Sequence, residues 1–367
     1  MKDVDDNQQA CLGFSLCNGI GPITFLKLVA HFGSPHSAFI APSSELRTFF
    51  RQTKNFEGFI LFRNSYNPTQ EIKRIQKDTT WIMTQWDDDY PKLLKTIIDP
   101  PISLFGKGDR NSIDFSNDTC VGIVGARKNT PYGKYVAEEL GRAFSGAGLV
   151  IVSGLASGID TISHNAAIEK GARTIAILGT GIDIIYPREN KELYEKIVKE
   201  YGVILSEYAP GTPTNPGMFV LRNRIVVGIS KAIVVVEGGI HSGTLTTARY
   251  AAENGRDVYA VPGPITSDMS VGPHILLREG AHVLSNANEL LKDFGLIQQS
   301  NRIIRNTIDL SGEEKIIYDL LSVKKYNTDE VARKISLTIS ETLPILSLLE
   351  VRGVIGKDLD GSFTVKV

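Results

Sequence analysis

The chain has 367 residues, of which 42% are apolar and 22% are charged, and its formal net charge is -1. These values are ordinary for a folded globular protein and predict two or three domains. The near-zero charge excludes a polycationic, histone-like nucleic-acid binder, so any site for an anion must be local. The three cysteines show no CxxC spacing, which argues against a disulfide framework or a structural zinc site.

The sequence contains no run of about 18 apolar residues, which argues against a transmembrane helix. The first residues are acidic and lack the apolar core of a signal peptide. We therefore expect a cytoplasmic protein that makes no membrane contact.

Residues 1–75 are predicted to form a helical domain. Within it, Gly19-Ile20-Gly21-Pro22 precedes an apolar-periodic run over 23–29, a pattern that is typical of a turn leading into a helix. Helix-hairpin-helix and SAM-like domains have such turns, whose backbone N–H groups can face a phosphate. The alternative is a plain connector inside a small helical bundle.

Residues 76–298 alternate between short apolar runs and helix-length segments. Runs without alternation suit strands that are buried on both faces of a parallel sheet, and the segments between them predict βαβ units. The predicted fold class is therefore α/β, with a Rossmann-like, doubly wound parallel sheet. The runs lie at 121–124, 149–152, 174–178, 203–205, 232–236 and 258–261.

Residues 299–367 are predicted to form a winged-helix domain. Three helical segments near 313–321, 328–335 and 340–350 precede a hairpin with a turn at Asp360-Gly361. The charges of this region nearly balance, so its charge does not distinguish a domain that contacts protein from one that contacts DNA.

Four of the predicted strands end in glycine-rich loops. Ligands of open α/β sheets bind at this carboxyl edge, where glycine permits close approach and helix N-termini attract phosphate. Tight packing is the alternative reason for glycine at these positions. The loops supply these candidate contacts to a nucleotide or nucleic acid: Gly125, Ala126, Arg127, Lys128, Ser153, Gly154, Gly158, Ser242, Gly243 and Thr244.

The motifs of nucleotide cofactors are absent. Neither G-x-G-x-x-G nor the Walker A pattern follows a strand, so we expect no cofactor. Residues 208–236 contain no Asp or Glu, yet they carry Arg222, Arg224 and Lys231, with Phe219 nearby. Arginines for phosphates beside an aromatic ring for a base suit single-stranded nucleic acid. The alternative is a core phenylalanine with two structural ion pairs.

No catalytic arrangement is evident. His164 and His241 belong to neither a G-x-S-x-G elbow nor a metal-ligand spacing. We expect capping or packing roles for these histidines, no bound metal and no enzymatic activity.

The residues described so far resemble the DNA-processing protein A (DprA/Smf) family. The resemblance covers the whole middle region, and a lead-in segment at 86–108 fits as well. The matching segments are GIVGARK at 122–128, SGLASGIDTISH at 153–164, LGTGIDIIYPREN at 178–190, SEYAPGT at 206–212, FVLRNRIVVGIS at 219–230, and VVVEGGIHSGTLTTARYAAENGRDVYAVPGP at 234–264.

The resemblance implies a homodimeric protein that binds single-stranded DNA without strong sequence preference. It implies that the protein protects incoming DNA in natural transformation and loads the RecA recombinase. The phosphate-binding motif of the family falls on Gly125, Ala126 and Arg127. A second motif falls on 219–224, with Phe219 against a base and Asn223 between the two arginines. Val220 replaces the proline of that motif, and no basic residue stands just before Phe219.

Two alternatives from the same superfamily remain. Nucleotide phosphoribohydrolases carry Pro-Gly-Gly-x-Gly-Thr-x-x-Glu, and Thr247 occupies the position of that catalytic carboxylate here. Without the carboxylate, general acid–base catalysis lacks its group. The third possibility is a sensor of a signalling nucleotide.

Overall fold

The computed structural model describes residues 4–50, 52–297, 312–351, 354–358 and 361–365. The chain divides into two compact units, residues 1–297 and 298–367. The first unit holds both the N-terminal helices and the large sheet, and the predicted boundary near residue 75 stays a prediction. The predicted start of the third domain near residue 299 and the predicted turn residue Asp360 lie outside the described residues.

The described part of the first unit contains one sheet of nine strands. Their spatial order is β1-β2-β6-β5-β4-β3-β7-β8-β9. In chain order the strands are β1 (Trp81–Thr84), β2 (Ser103–Gly108), β3 (Cys120–Val124), β4 (Val150–Ser153), β5 (Thr174–Gly181), β6 (Gly202–Tyr208), β7 (Ala232–Val235), β8 (Asp257–Ala260) and β9 (His282–Val283).

In that spatial order, the strands from β6 to β9 pair in parallel, whereas β2 pairs antiparallel with both β1 and β6. The chain moves outward from β3 through β4, β5 and β6, and then crosses back to β7 on the other side of β3. The direction of winding therefore reverses between β3 and β7, as in Rossmann-like sheets. The prediction of an α/β fold with a mainly parallel sheet is confirmed.

Helices cover the sheet and fill the region before it. They are α1 (Asp6–Leu16), α2 (Pro22–Phe32), α3 (Pro35–Ile40), α4 (Ser43–Leu46), α5 (Thr53–Ser65), α6 (Pro68–Gln76), α7 (Lys92–Lys95), α8 (Pro131–Gly146), α9 (Ile159–Glu169), α10 (Lys191–Lys196), α11 (Pro216–Ile229), α12 (Gly243–Glu253), α13 (Val271–Arg278) and α14 (Ala287–Asp293). Short 3-10 turns lie at 47–49, 110–112, 188–190 and 268–270, and a π turn lies at 197–201.

Alternate residues of the central strands enter two separate cores. On β3, Val121 and Ile123 pack with α8, α9 and α14, whereas Val124 packs on the opposite face with α11, α12 and α13. Because successive side chains of a strand point to opposite faces, both faces need apolar residues, which explains the uninterrupted Val/Ile runs.

The N-terminal helices close around aromatic side chains. Phe14 contacts Phe25, Phe39 and Phe59 with ring centroids 5.1–5.5 Å apart. The Gly19–Pro22 turn joins α1 to α2, with Gly19 at φ +97° and Pro22 at the first helical position. The predicted helical region and its glycine turn are thus present.

The described part of the second unit contains α15 (Gly312–Val323), α16 (Thr328–Ile335) and α17 (Ile339–Val351), followed by β10 (Ile355–Lys357) and β11 (Phe363–Val365). The two strands pair antiparallel. Its core includes Ile317, Leu321, Val331, Leu346 and Phe363.

Among the described residues, no helix is both long enough and apolar enough to span a membrane.

Gly158 sits where the loops after β3 and β4 touch. Its φ is +84°, and a Cβ atom there would overlap the carbonyl oxygen of Ala126 and lie 2.6 Å from that of Arg127. We expect Gly158→Ala to lower the free energy of unfolding by about 3 kcal/mol, from backbone strain and overpacking together.

Gly171→Ala is the matched control, because Gly171 has φ +65° and open space around it. Strain alone should cost about 1 kcal/mol there. Equal losses for the two variants in urea unfolding would contradict the close contact at Gly158.

Candidate functional site

A small pocket opens at the carboxyl edge of the sheet. Its walls come from the loops after β3, β4 and β5 and from the first turns of α11. The volume is about 50 Å³, and the lining residues are Arg127, Gly154, Ala156, Ser157, Gly179, Tyr186, Pro187, Phe219 and Arg222. Four of the predicted contact residues therefore meet here: Arg127, Gly154, Phe219 and Arg222.

Arg127 supplies an exposed positive charge at the rim of the pocket. Its guanidinium carbon lies 5.9 Å from the centre of the Phe219 ring. Its side chain makes no hydrogen bond or salt bridge within the part of the chain that the structure describes, and neither does that of the exposed neighbour Lys128. A planar guanidinium that is exposed and has no such partner can pair with a phosphate through two parallel hydrogen bonds.

Phe219 is held in place by the start of α11. The side chain of Asn215 caps this helix, and Pro216 occupies its first position. Gly179 lies directly against Phe219, since a Cβ atom there would come within 2.9 Å of the phenylalanine Cα and Cδ1 atoms. On its other side the Phe219 ring contacts Tyr186, with centroids 5.0 Å apart and planes inclined at 49°.

Arg222 forms the buried floor, with only 4% of its surface exposed. Its Nη1 atom donates to the carbonyl oxygens of Gly154, just beyond β4, and Ile177, in β5. Burial lowers the pKa of Arg222 to about 10, the carboxylate of Asp160 opposes this shift, and the charge of Arg127 adds to it. Arg222 remains cationic at neutral pH and carries its charge beneath the pocket.

The glycine loops are closely packed and their N–H groups are partly occupied. Asp160 Oδ2 accepts the N–H groups of Gly154 and Ala156 at 3.1 and 3.3 Å. A Cβ atom at Gly154 would overlap the guanidinium of Arg222, and one at Gly125 would come within 2.5 Å of Ile159 Cγ1. Tight packing, the alternative explanation for these glycines, therefore applies to both positions, and the Gly154 N–H is already paired.

Ser153 does not reach the pocket, although the sequence predicted a contact there. It is fully buried, and its hydroxyl donates to the carbonyl oxygen of Ile123 at 2.6 Å. Ala126 is 9% exposed, and its carbonyl oxygen accepts the N–H of Ile159. Ser153 thus joins β4 to β3, and Ala126 joins the loop after β3 to the start of α9.

Arg224 points away from Arg127 and Phe219. It is 7% exposed and pairs with Asp99 at 3.2 Å and Glu207 at 2.5 Å. Residues two apart on a helix face in nearly opposite directions, so Arg222 and Arg224 cannot line one pocket. The structural ion pair that the sequence left as an alternative describes Arg224.

Asn223 connects α11 to α12. It accepts from Arg222 Nε at 3.1 Å and donates to Thr247 Oγ1 at 2.9 Å. The side chain therefore acts between protein groups here and is not one of the pocket-lining residues.

Ser242, Gly243 and Thr244 lie at the start of α12, outside the pocket. The Ser242 hydroxyl caps the helix by accepting from the N–H of Thr244 at 3.2 Å. The start of α8 is likewise occupied, because Glu237 accepts from Thr130 N at 2.9 Å and from Thr130 Oγ1 at 2.5 Å. Each of these two helices thus has a protein side chain that caps one of its first N–H groups, since Thr130 in turn accepts from Gly133 N.

Tyr186, Pro187, Ala156, Ser157 and Gly179 line the pocket but were not among the predicted contacts. All five lie in segments that resemble the DprA/Smf family. The sequence could not indicate them as contacts, because residues as far apart as Tyr186 and Phe219 come together only in the folded structure.

His164 is completely buried in α9. Its Nδ1 atom lies 2.7 Å from Thr174 Oγ1, and its Nε2 atom has no partner among the described residues. Burial, reinforced by the charge of Arg222, lowers the pKa of His164 to about 3. This environment agrees with the packing role expected for a histidine here. Among the described residues, no cluster of His, Cys, Asp and Glu has the arrangement of a metal site.

Comparison with known proteins identifies the family. The model of the DNA recombination-mediator protein A family matches residues 81–295, which include the whole pocket. The chain belongs to this family. The resemblance inferred from the sequence is thereby confirmed.

Individual members of the family support this assignment. Protein Smf of Synechocystis is 36% identical over 317 residues, covering 85% of this chain and 77% of that protein. The DNA processing protein DprA of Bacillus subtilis is 43% identical over 204 residues, covering 56% of this chain and 68% of the relative.

Two solved structures of family members share the fold. The DprA structure from Streptococcus pneumoniae matches with a TM-score of 0.69 at 32% identity, covering 79% of this chain and 98% of that one. The structure from Helicobacter pylori matches with a TM-score of 0.53 at 32% identity, covering 58% and 96% of the two chains.

Lowering the pH from 7 to 5 is expected to destabilise this family member through His164. The ordinary histidine pKa is 6.5, but the folded chain keeps this ring neutral down to about pH 3. The unfolded chain therefore binds the proton first, and stability present above pH 6.5 is lost as the pH falls. This residue should contribute a loss of about 2 kcal/mol between pH 7 and pH 5.

Urea unfolding of the wild type and of His164→Gln at both pH values measures this contribution. The variant should lose less stability than the wild type between the two conditions. An equal decrease in both proteins would show that His164 does not cause the pH dependence.

Proposed function

We propose that this chain binds single-stranded DNA without strong sequence preference at the Arg127–Phe219 pocket. The observation that carries the proposal is the exposed, unpaired guanidinium of Arg127 beside the ring of Phe219, above the buried charge of Arg222. A cation for the phosphate and a ring for the base are the two elements of sequence-tolerant binding to single strands.

The size of the pocket supports a surface contact with a strand. Pockets for small-molecule ligands usually enclose about 300–1,000 Å³, whereas this one encloses about 50 Å³. Such a depression accepts one base edge or one phosphate, with the rest of the polymer outside. The site thus suits one repeating unit of a longer chain better than a whole free nucleotide.

The family supports the same ligand class. The DprA protein of Helicobacter pylori, whose structure matches this chain, has a single-stranded DNA binding mode. The pocket of this chain lies within the segment that the family model matches.

We propose that the protein is not an enzyme and uses no cofactor. Thr247 stands where the related hydrolases carry a catalytic glutamate, and it is buried and bonded to Asn223. The carboxylate of Glu237, in the loop before α12, accepts hydrogen bonds from Thr130, the N-cap residue of α8. These contacts disfavour the phosphoribohydrolase alternative, and the small volume of the Arg127–Phe219 pocket disfavours a nucleotide sensor that binds at this site.

The proposed biological role follows that of the family. We infer that the protein protects incoming single-stranded DNA in the cytoplasm during natural transformation and helps to load RecA onto it. A homodimer would place two shallow sites on one strand and raise the total affinity through avidity.

We further propose that the second unit is a winged-helix domain that contacts protein. Its three helices and antiparallel strand pair follow the element order of that fold. The helix before the strands, α17, contains no Lys or Arg over Ile339–Val351. A helix without basic residues is poorly suited to the phosphates of DNA.

Fluorescence anisotropy with labelled oligo-dT tests the proposed ligand. We expect salt-sensitive binding that equal concentrations of duplex DNA or AMP do not compete. Competition by AMP at micromolar concentrations, or no binding of oligo-dT, would overturn the proposal and favour a nucleotide hydrolase or sensor.

Arg127→Ala is expected to weaken oligo-dT binding at least about tenfold, since a charge-assisted contact contributes about 1.5–3 kcal/mol. The slope of log K against log salt should become shallower by about 0.7 for each phosphate no longer neutralised. Arg249→Ala is the matched control, because Arg249 is exposed and lies outside the pocket. An unchanged slope for Arg127→Ala would exclude Arg127 from the site.

A dimeric mass is expected by light scattering at micromolar protein concentration, because one small pocket offers little affinity by itself. A monomeric mass at that concentration, alone and with oligo-dT bound, would contradict the proposed homodimer.

A further inference from the structure

The second aromatic ring of the pocket belongs to Tyr186, on the loop between β5 and α10. Its side chain is 48% exposed, and its ring contacts that of Phe219 at 5.0 Å. Its hydroxyl makes no hydrogen bond within the described residues.

Phe219 is less accessible than Tyr186. One side of its ring is approached by the guanidinium of Arg127 at 5.9 Å, and its backbone lies against Gly179. The inclined contact with Tyr186 leaves no room for a base between the two rings, because centroids about 4.5–7 Å apart are already in direct contact. In the free protein, Tyr186 therefore presents the more open aromatic surface.

The loop that carries Tyr186 is anchored on both sides. Before it, Thr180 Oγ1 donates to the carbonyl oxygen of Ile184 at 2.8 Å. After it, the buried Asn190 side chain donates to Leu155 O and Thr161 Oγ1, each at 2.8 Å. The bond to Leu155 fixes the loop against the segment after β4, which forms another wall of the pocket.

Anchoring matters for binding because a ring that is already positioned loses little conformational freedom when a base stacks on it. Ser157 adds a further contact between the same two walls, since its hydroxyl donates to Glu189 at 2.6 Å.

We propose that Tyr186 is a base-stacking residue of the DNA site and that Phe219 supports its ring. One base of the strand rests on the exposed surface of Tyr186, while Arg127 pairs with a neighbouring phosphate. This inference rests on the proposed binding of single-stranded DNA and adds a contact that depends on the base, as opposed to the charge of the backbone.

The experiment compares oligo-dT with an abasic oligomer of the same length and phosphate number. Tyr186→Ala should weaken oligo-dT binding at least about fivefold, the smallest effect expected for the loss of one stacked base. Its affinity for the abasic oligomer and its salt slope should stay unchanged. Arg127→Ala, in contrast, should weaken the binding of both oligomers.

Three further variants control for folding and for the loss of a tyrosine. Tyr186→Phe should bind oligo-dT like the wild type, because the ring is retained. Tyr186→Leu keeps apolar bulk against Phe219 but removes the ring, so it should behave like Tyr186→Ala. Tyr135→Ala removes a tyrosine that is 64% exposed and lies outside the pocket, and it should have no effect.

The outcomes separate this inference from the function on which it rests. If the wild type binds oligo-dT and Tyr186→Leu and Tyr186→Ala bind it equally well, Tyr186 does not stack and only this inference fails. Equal weakening for oligo-dT and the abasic oligomer would also overturn it. If the wild type does not bind oligo-dT at all, both proposals fail.

Discussion

The buried guanidinium of Arg222 holds the candidate site together. It donates to carbonyl oxygens of Gly154 and Ile177, and so it joins α11 to the segment just beyond β4 and to the adjacent parallel strand β5. A buried cation without such partners would be strongly destabilising, so the strand ends and the helix must keep this arrangement. Phe219, one turn earlier on the same helix face, is consequently placed over the carboxyl edge of the sheet.

Three arginines near this edge differ in their burial and in the groups with which they pair. Arg222 donates to carbonyl groups beneath the pocket, and Arg224 forms ion pairs with Asp99 and Glu207 on the far side of the helix. Arg127 alone among the three remains exposed and unpaired. A chain with a net charge of -1 can thus present a local cationic site, because Arg127 pairs with no carboxylate among the described residues and the charge of Arg222 lies in the same pocket.

The glycine loops make the pocket rigid and small. Gly154, Gly158 and Gly179 lie so close to neighbouring atoms that a side chain at any of them would displace part of a wall. The carboxylates of Asp160 and Glu237 accept the N–H groups of Gly154 and Thr130 in the loops after β4 and β3. The side chains that line the candidate pocket are therefore held in place by packing within the protein.

The sequence by itself determined the α/β class, the mainly parallel sheet and the family. It also selected four residues that the structure brings to one pocket: Arg127, Gly154, Phe219 and Arg222. Apolar periodicity and glycine spacing are local properties, so they can be recognised without knowing which residues are in contact. Only the tertiary structure decided that Arg224 faces away, that Ser153 is buried and that Tyr186 meets Phe219. Those relations depend on helix phase and on which strand ends lie side by side, and residues 186 and 219 become neighbours only once β5 and α11 have packed together.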